Sequence, residues 1–568
     1  MHTIKLNKML RDDFEVQGDP ERAISGVAYD SRSIKGGEVF VAMKGEKCDG
    51  KDFIEDAIRR GAAAIVYERG AAVTALRARH PEVTWIAADN PRDAIAYLAH
   101  TFYRRPSESI GVIGITGTNG KTTTTYLIKS ILEQWKKSVG LIGTISYLVK
   151  AKVYDAPHTT PESTDFQGLL RTMADHGCDY VVTEVSSHAL AQRRVEYTRF
   201  RGAVFTNLTR DHLDFHKTMD SYFKAKQRLF TDLLDEQGFA VINGDDEYGQ
   251  RLIKMLTERK GKAARVVSYA VEHRDADVAA SDIATTFKGM SFKITYKRQK
   301  SEAGSQKPEA ASDEMIQEEI VTPLVGIINV YNILAAIGVA LSLDIPITVI
   351  KEGIAMAELI KGRFEKVDVG QDFLAIVDYA HTEDALERLL RTARQLLDAY
   401  RFTGRAEKMM KAKGTRFPLT SEKGKGKIIT VIGCGGNRDK GKRSKMGEIA
   451  SKLSDFVIIT SDNPRFEDPK AIIRDIEKGI KGDNYIVIPD RNVAISMAVE
   501  LASSGDIVMV AGKGHEDYQE IQGIRHAFSD RTALESAIKR TISRPAFGGG
   551  TTFDGLYSSS TTKRECSC

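Results

Sequence analysis

Little in this sequence suits an extracellular or membrane-bound protein. Only five of 568 residues are cysteine, at 48, 178, 434, 566 and 568. An odd, unpatterned set excludes a disulfide framework and predicts reduced thiols in a cytoplasmic protein. The opening stretch MHTIKLNKMLRDDFEV has no apolar core, which predicts no secretory signal. Long hydrophobic runs are missing too. The most apolar one, IINVYNILAAIGVALSL at 327–343, holds Asn329 and Asn332 and stops at Asp344. It is short for a bilayer span and predicts a buried helix, with no membrane insertion. An excess of one charge is also lacking: the net charge is +5, too small and too dispersed for a dedicated nucleic-acid binder. No internal repeat of fixed period occurs.

What is present is length and alternation. A chain of 568 residues exceeds a single core and predicts three or four domains. Residues 1–105 mix short strand-like runs such as EVFVAM with a helix near 53–61. From Ile110 onward, β-rich runs (IGVIGIT, YVVTEV, GAVFTN, FAVIN) alternate with helical segments. A second series follows: FLAIVDYA, IITVIGCGG, FVIITSDN, YIVIPD and IVMVAGKG. Such alternation predicts parallel sheets with crossover helices. The reading is an α/β protein with a small N-terminal domain (1–105), a central phosphate-loop domain (106–345) and a C-terminal Rossmann-like domain (346–545). The Gly/Ser/Thr-rich tail at 546–568, ending Cys-Ser-Cys, predicts disorder. Two polar inserts, 298–319 and the basic 400–427, read as solvated loops.

GITGTNGKTTTTYLI at 114–128 follows a strand and opens a helix, the setting a phosphate-binding loop requires. Five residues, not four, separate Gly114 and Gly120, and Gly117 lies between them. Gly117, Thr118, Asn119 and Gly120 would bring backbone N–H groups to phosphate oxygens. Lys121 would reach the β- and γ-phosphates, Thr122 would hold Mg²⁺, and Thr123 continues the loop. A glycine-rich strand–helix turn is the alternative. A phosphate loop alone leaves kinase, motor and ligase open.

Asp-Asn-Pro-Arg occurs twice, at 89–92 and 462–465. The first copy precedes the amphipathic pattern DAIAYLAHTFY, and an Asp or Asn cap with Pro in the first turn accounts for it. The second follows the strand FVIIT and also precedes a helical pattern.

GTNGKTTT, HTTPES (158–163), EVSSHALAQRRV (184–195), TNLTRDHLDFH (206–216) and YFKAKQRLF (222–230) occur in that order. So do NVYNILAA (329–336), GRFE (362–365), DYAH (378–381), GCGGNRDKGKR (433–443) and AGKGHEDYQ (511–519), with YDSR (29–32) upstream. Together they resemble the Mur ligase family, ATP-dependent amide-forming enzymes of peptidoglycan precursor synthesis. The resemblance covers about residues 22–540. It implies phosphorylation by ATP of the D-glutamate carboxylate of UDP-MurNAc-L-Ala-D-Glu, then attack of an amine on the acyl phosphate.

By that resemblance the catalytic group comprises Lys121, Glu184, His212 and Lys226, with Thr122 and Glu184 on Mg²⁺, His212 on a second Mg²⁺, and Lys226 carbamylated. His216 is read as packing. ATP would also meet Asn332, Arg363 and Asp378. The UDP-sugar dipeptide would meet Ser31, His158, Thr159, Thr160, Ser186, Gln192 and Arg194. The second Asp-Asn-Pro-Arg (Asp462, Asn463, Pro464, Arg465), with Arg438, Gly512 and Glu516, is the family's diaminopimelate signature. Arg465 would fork onto the distal carboxylate that lysine lacks. Three positions depart from the family pattern: His158 replaces Asn, GEKCDG stands at 45–50, and Glu383 replaces Pro. The partners expected are small-molecule substrates, without nucleic acid, and a monomer is expected. The alternatives are lysine or another amino acid in the same ligation, a folylpolyglutamate synthase-like ligase, a phosphate-loop kinase or motor, and a catalytically silent scaffold.

Overall fold

The computed structural model describes residues 3–45, 48–150, 152–259, 264–286, 289–297, 315–357, 360–411 and 426–543. The tail 546–568 and the 45–50 departure at positions 46–47 lie outside the described residues. Three large sheets follow one another along the chain, with two further two-stranded ones, and among the described residues no helix is long and apolar enough to cross a membrane.

The first unit is a five-stranded sheet covered by the helix Pro91–Phe102. Its start is chemical: the Asn90 side chain accepts from the N–H groups of Arg92 and Asp93, with Pro91 in the first turn. The first Asp-Asn-Pro-Arg is therefore a helix cap. Asn90→Ala is expected to cost about 1 kcal/mol of stability in this unit, with catalytic rate unchanged; chemical denaturation followed at Trp85, buried in the same unit, measures it.

The central sheet has eleven strands. Gly111–Thr116 lies in its middle, parallel to Tyr180–Glu184 on one side and Phe200–Phe205 on the other. These strands are buried on both faces, which explains their unbroken Val/Ile runs. The apolar run at 327–343 is the buried helix Ile327–Ser342, packed on the phosphate-loop helix Lys121–Gln134. The next helix, Ile347–Ala355, also packs on Lys121–Gln134, with Gly353 seated against the backbone of Ile131. We therefore place the second domain boundary after this helix rather than at 345. The expected loop 298–319 is shorter than the sequence suggested: Met315–Thr322 is a strand, antiparallel to Gly289–Lys297. Its alternating polarity is that of a sheet with one solvated face. Residues 298–314 lie outside the described residues.

The third sheet has six strands, with Leu374–Asp378, Ile507–Ala511, Ile428–Ile432 and Phe456–Ile459 running parallel through its centre. The helix Glu383–Lys411 corrects the other loop expectation, because the basic stretch from 400 continues it to Lys411. Ala406, Glu407, Lys408, Met409 and Met410 favour helix, and only Gly404 opposes it, by about 1 kcal/mol. Residues 412–425 lie outside the described residues.

Candidate active site

Open parallel sheets present their loops at the carboxyl ends of strands, and ligands bind there. In the central domain those ends carry Thr116, Glu184 and Phe205; in the third, Asp378, Ile432, Ile459 and Ala511. The two sets face one cleft of about 1110 Å³, walled by Thr144, His158, Thr159 and His212 on one side and by Arg438, Asp462, Asn463, Arg465, Gly512 and Glu516 on the other.

The phosphate loop is pinned from beneath. Asn119 N–H donates to Asn207 Oδ1 (3.0 Å), while Thr206 Oγ1 (2.6 Å) and Asn207 Nδ2 (3.1 Å) donate to the Asn119 carbonyl. Thr118 N–H reaches Asn207 O at 2.8 Å. Gly117 (φ +149°) and Gly120 (φ +87°) sit where a Cβ would overlap the Thr206 hydroxyl and the Asn332 carboxamide. Lys121 Nζ folds back onto the carbonyls of Gly117 (3.1 Å) and Thr118 (2.9 Å), and burial lowers its pKa against the pull of Glu184. Thr123, Gly120, Asn332, Arg363 and Asp378 line a second cavity of about 410 Å³, a volume suited to a nucleotide base and sugar. The third domain therefore closes one side of this pocket. Arg363 Nη2 reaches Thr122 Oγ1 (3.5 Å), and Asp378 accepts from the N–H groups of Phe364 (2.6 Å) and Ala380 (2.8 Å).

Glu184 is buried beside the loop. Its Oε2 accepts from Thr122 Oγ1 (3.1 Å) and Thr144 Oγ1 (3.0 Å), and its Oε1 from Thr144 N–H (2.8 Å). His212, expected on a second Mg²⁺, lines the cleft. Its backbone is left-handed (φ +53°), and its ring meets Asp211 (3.3 Å) and packs against His188. Burial lowers its pKa although Asp211 opposes the shift. A hydroxyl and a carboxylate fit a hard cation that keeps several waters and phosphate oxygens, so Thr122 and Glu184 suit Mg²⁺. Among the described residues, no three His, Cys, Asp or Glu side chains form a cage that would hold a metal without those extra ligands. His216 is packing, as expected, with Nε2 2.9 Å from Ser187 Oγ and its ring stacked on Tyr222.

Lys226 lies on the helix Met219–Thr231, fully buried. It donates to Gly117 O at 2.7 Å and sits 4.7 Å from the centre of the Tyr222 ring. Burial first, then the charge of Lys121, holds its pKa well below that of an ordinary lysine.

The residues expected on the UDP-sugar divide. His158 and Thr159 line the cleft, and Thr159 Oγ1 is 3.1 Å from Thr144 Oγ1. Thr160 is structural: its hydroxyl donates to Glu184 O (2.8 Å) and accepts from Ser186 N–H (3.0 Å). Ser186 caps a short helix, accepting from Ala189 N–H. Arg194 donates to Thr160 O (3.0 Å) and to Gln192 Oε1 (2.7 Å), and pairs with Glu162 (2.9 Å). Ser31 is not brought to this group. It is buried in the first domain, hydrogen-bonded to Asp56.

The second Asp-Asn-Pro-Arg does not cap the helix that follows; Asp468 does, accepting from Lys470 N–H. Instead the tetrapeptide folds around Lys513, which is 0% exposed. Lys513 Nζ donates to Asn463 Oδ1 (3.1 Å) and Glu516 Oε2 (3.1 Å), with Asp462 Oδ1 at 4.0 Å. Asn463 Nδ2 donates to Glu516 Oε2 at 2.7 Å. Arg465 has a left-handed backbone (φ +52°) bridged to the hairpin Tyr518–Ile521/Ile524–Ala527. Sequence reasoning missed Lys513, Thr144 and His515. Lys513 and His515 sit inside the GKGHE stretch it singled out, whereas nothing local marks Thr144. His515 lines the cleft against Tyr379, and burial takes its pKa down to about 4.

Three comparisons bear on this arrangement. The profile for the Mur ligase family catalytic domain matches residues 23–103, the Mur ligase middle domain 115–340, and the Mur ligase glutamate ligase domain 411–514. A UDP-N-acetylmuramoyl-L-alanyl-D-glutamate–2,6-diaminopimelate ligase of Syntrophomonas wolfei subsp. wolfei is 40% identical over 95% of this chain and 100% of its own. One from Geobacillus kaustophilus is 42% identical over 92% of this chain and 96% of its own. A solved structure of an enzyme of that name superposes with a TM-score of 0.62 at 29% identity, over 95% of this chain and 100% of that one. The MurF ligase from Thermotoga maritima in complex with ADP shares the fold, with a TM-score of 0.54 at 19% identity over 91% and 97% of the two chains. Matched by three family profiles and by relatives about 40% identical over more than nine-tenths of its length, this chain belongs to the Mur ligase family.

Proposed function

We propose that this protein joins meso-diaminopimelate to the D-glutamate carboxylate of UDP-MurNAc-L-Ala-D-Glu at the expense of ATP. The observation that carries the reading is the meeting of two half-sites across one cleft. Thr144, His158, Thr159 and His212 stand on one wall, with Glu184 bonded to Thr144 and Thr122 behind them, and Arg438, Asn463, Arg465, Gly512 and Glu516 stand on the other.

The chemistry follows from charge. A triphosphate must approach a carboxylate, so cations have to screen the repulsion. Lys121 releases the two loop carbonyls and takes the phosphates, joined by Arg363 from the third domain. Mg²⁺, when bound, would be held by Thr122 and Glu184 and would neutralise charge developing on the phosphates. His158 and Thr159 meet the anionic acceptor, and Arg194 holds Thr160 and Gln192 behind them. The deprotonated amine that burial favours at Lys226 is the form that adds CO₂, which supports a carbamate there. Glu516, already bonded to Asn463 and Lys513, accepts the distal ammonium of the incoming amino acid.

Phosphate release by the purified protein with Mg-ATP and UDP-MurNAc-L-Ala-D-Glu tests this. Release is expected with meso-diaminopimelate and not with L-lysine, with a tripeptide product by mass spectrometry. Release with lysine alone would overturn the amino-acid assignment and leave the ligase; release with neither would overturn both.

A further inference from the structure

Arg465 is partly engaged within the protein. Its Nε faces Glu520 Oε2 at 3.3 Å, and its Nη1 donates to Gly436 O at 2.9 Å. Its remaining Nη donors are open, and among the described residues Nη2 has no partner. The substrate proposed above brings two free carboxylates, one at the reacting centre and one at the distal centre.

The hairpin that Arg465 bridges carries another cation on the same wall. Arg525 lies directly across the ladder from Glu520. Yet the two form no ion pair, and the guanidinium instead stacks 4.3 Å from the centre of the Tyr518 ring. Tyr518 and Arg525 both line the cleft beside Arg438 and Arg465. Among the described residues, no carboxylate lies within 4.0 Å of Arg525 or of Arg438. Stacking on an aromatic face leaves the in-plane N–H donors of a guanidinium open to a planar anion. The wall thus offers two uncommitted arginines, Arg438 and Arg525, for two carboxylates, with Arg465 adding its open Nη donors.

We infer that Arg525 is a specificity-determining residue that binds the distal carboxylate of the incoming amino acid, beside Arg465, from the hairpin 518–527. The assignment rests on the diaminopimelate reading above. Tyr518 presents the guanidinium, and Glu520 keeps Arg465 from drawing the substrate out of register.

The test measures KM for meso-diaminopimelate in the parent, Arg525→Met and Arg525→Lys, at saturating Mg-ATP and UDP-MurNAc-L-Ala-D-Glu. Arg525→Met is expected to raise that KM roughly 10- to 100-fold, the range for losing one charged hydrogen-bonded pair. KM for ATP should stay within about twofold, because Arg525 does not line the nucleotide cavity. Arg525→Lys restores the charge without the fork and should recover part of the loss. Weak binding of L-lysine, read as competition against meso-diaminopimelate, should be unchanged in all three proteins, which a merely loosened hairpin would not produce. An unchanged diaminopimelate KM in Arg525→Met, or equal losses for diaminopimelate and lysine, would overturn the inference while the parent's activity stands. A parent that does not use diaminopimelate would overturn the reading beneath it as well.

Discussion

Arg465→Ala is expected to lower kcat/KM for meso-diaminopimelate by roughly 10⁴, leaving ATP binding within about twofold of the parent. The size follows from asymmetry: a site built to pair a buried anion rejects a complex in which either partner stands alone. Removing this side chain also frees Glu520, which would then face the substrate's carboxylate with no cation between them. The backbone role should survive. The bridge to the hairpin uses Arg465 N–H to Glu520 O (3.0 Å) and Gln522 N–H to Arg465 O (2.7 Å), both independent of the side chain. Alanine pays for the left-handed φ as arginine already does. Steady-state kinetics with each amino acid, alongside nucleotide titration, checks this; unchanged diaminopimelate turnover would sink the assignment of the second Asp-Asn-Pro-Arg.

Arg491→Leu is expected to destabilise the third domain by about 3–5 kcal/mol. Arg491 and Asp530 are both 0% exposed and pair through two contacts, Nε–Oδ1 at 2.7 Å and Nη2–Oδ2 at 2.8 Å. Leucine would leave the Asp530 carboxylate buried and unpaired. The site should feel the change, since Arg491 also donates to Ala511 O (3.0 Å) and Ser461 O (3.4 Å). Those carbonyls lie next to Gly512 and Asp462, so one buried guanidinium ties together the two strand ends that form the amino-acid pocket. The double variant Arg491→Leu/Asp530→Leu removes both charges and should recover much of the stability. Guanidinium unfolding monitored by hydrogen exchange in the third sheet separates the cases; equal stability of the single and double variants would refute the buried-charge account.

Much of the site was legible in the residues because the motifs carry their own local geometry. A glycine-rich turn between a buried strand and a helix, followed by Lys121 and Thr122, sets its own local geometry, and Glu184 and Asp378 end their strands as the patterns indicated. What was not legible shares a cause. His212 lies in a left-handed turn against Asp211 and His188, and sequence spacing says nothing of such a turn. Ser31 belongs to a motif, but its hydroxyl bonds Asp56 within the first domain. Thr144, with two hydrogen bonds to Glu184, comes from a stretch with no distinguishing composition.

The two copies of Asp-Asn-Pro-Arg show where the division falls. The sequence by itself determined the parallel-sheet architecture, the phosphate loop and the helix cap at Asn90, because hydrophobic period and backbone capping act over a few residues. Only the tertiary structure decided that the same four residues at 462–465 would not cap a helix. There a buried Lys513 takes the Asn463 oxygen that capping would need, and the hairpin at 518–527 holds Arg465 in a left-handed turn. Both partners are about fifty residues downstream, and a hydrogen-bond acceptor goes to the donor that folding buries beside it.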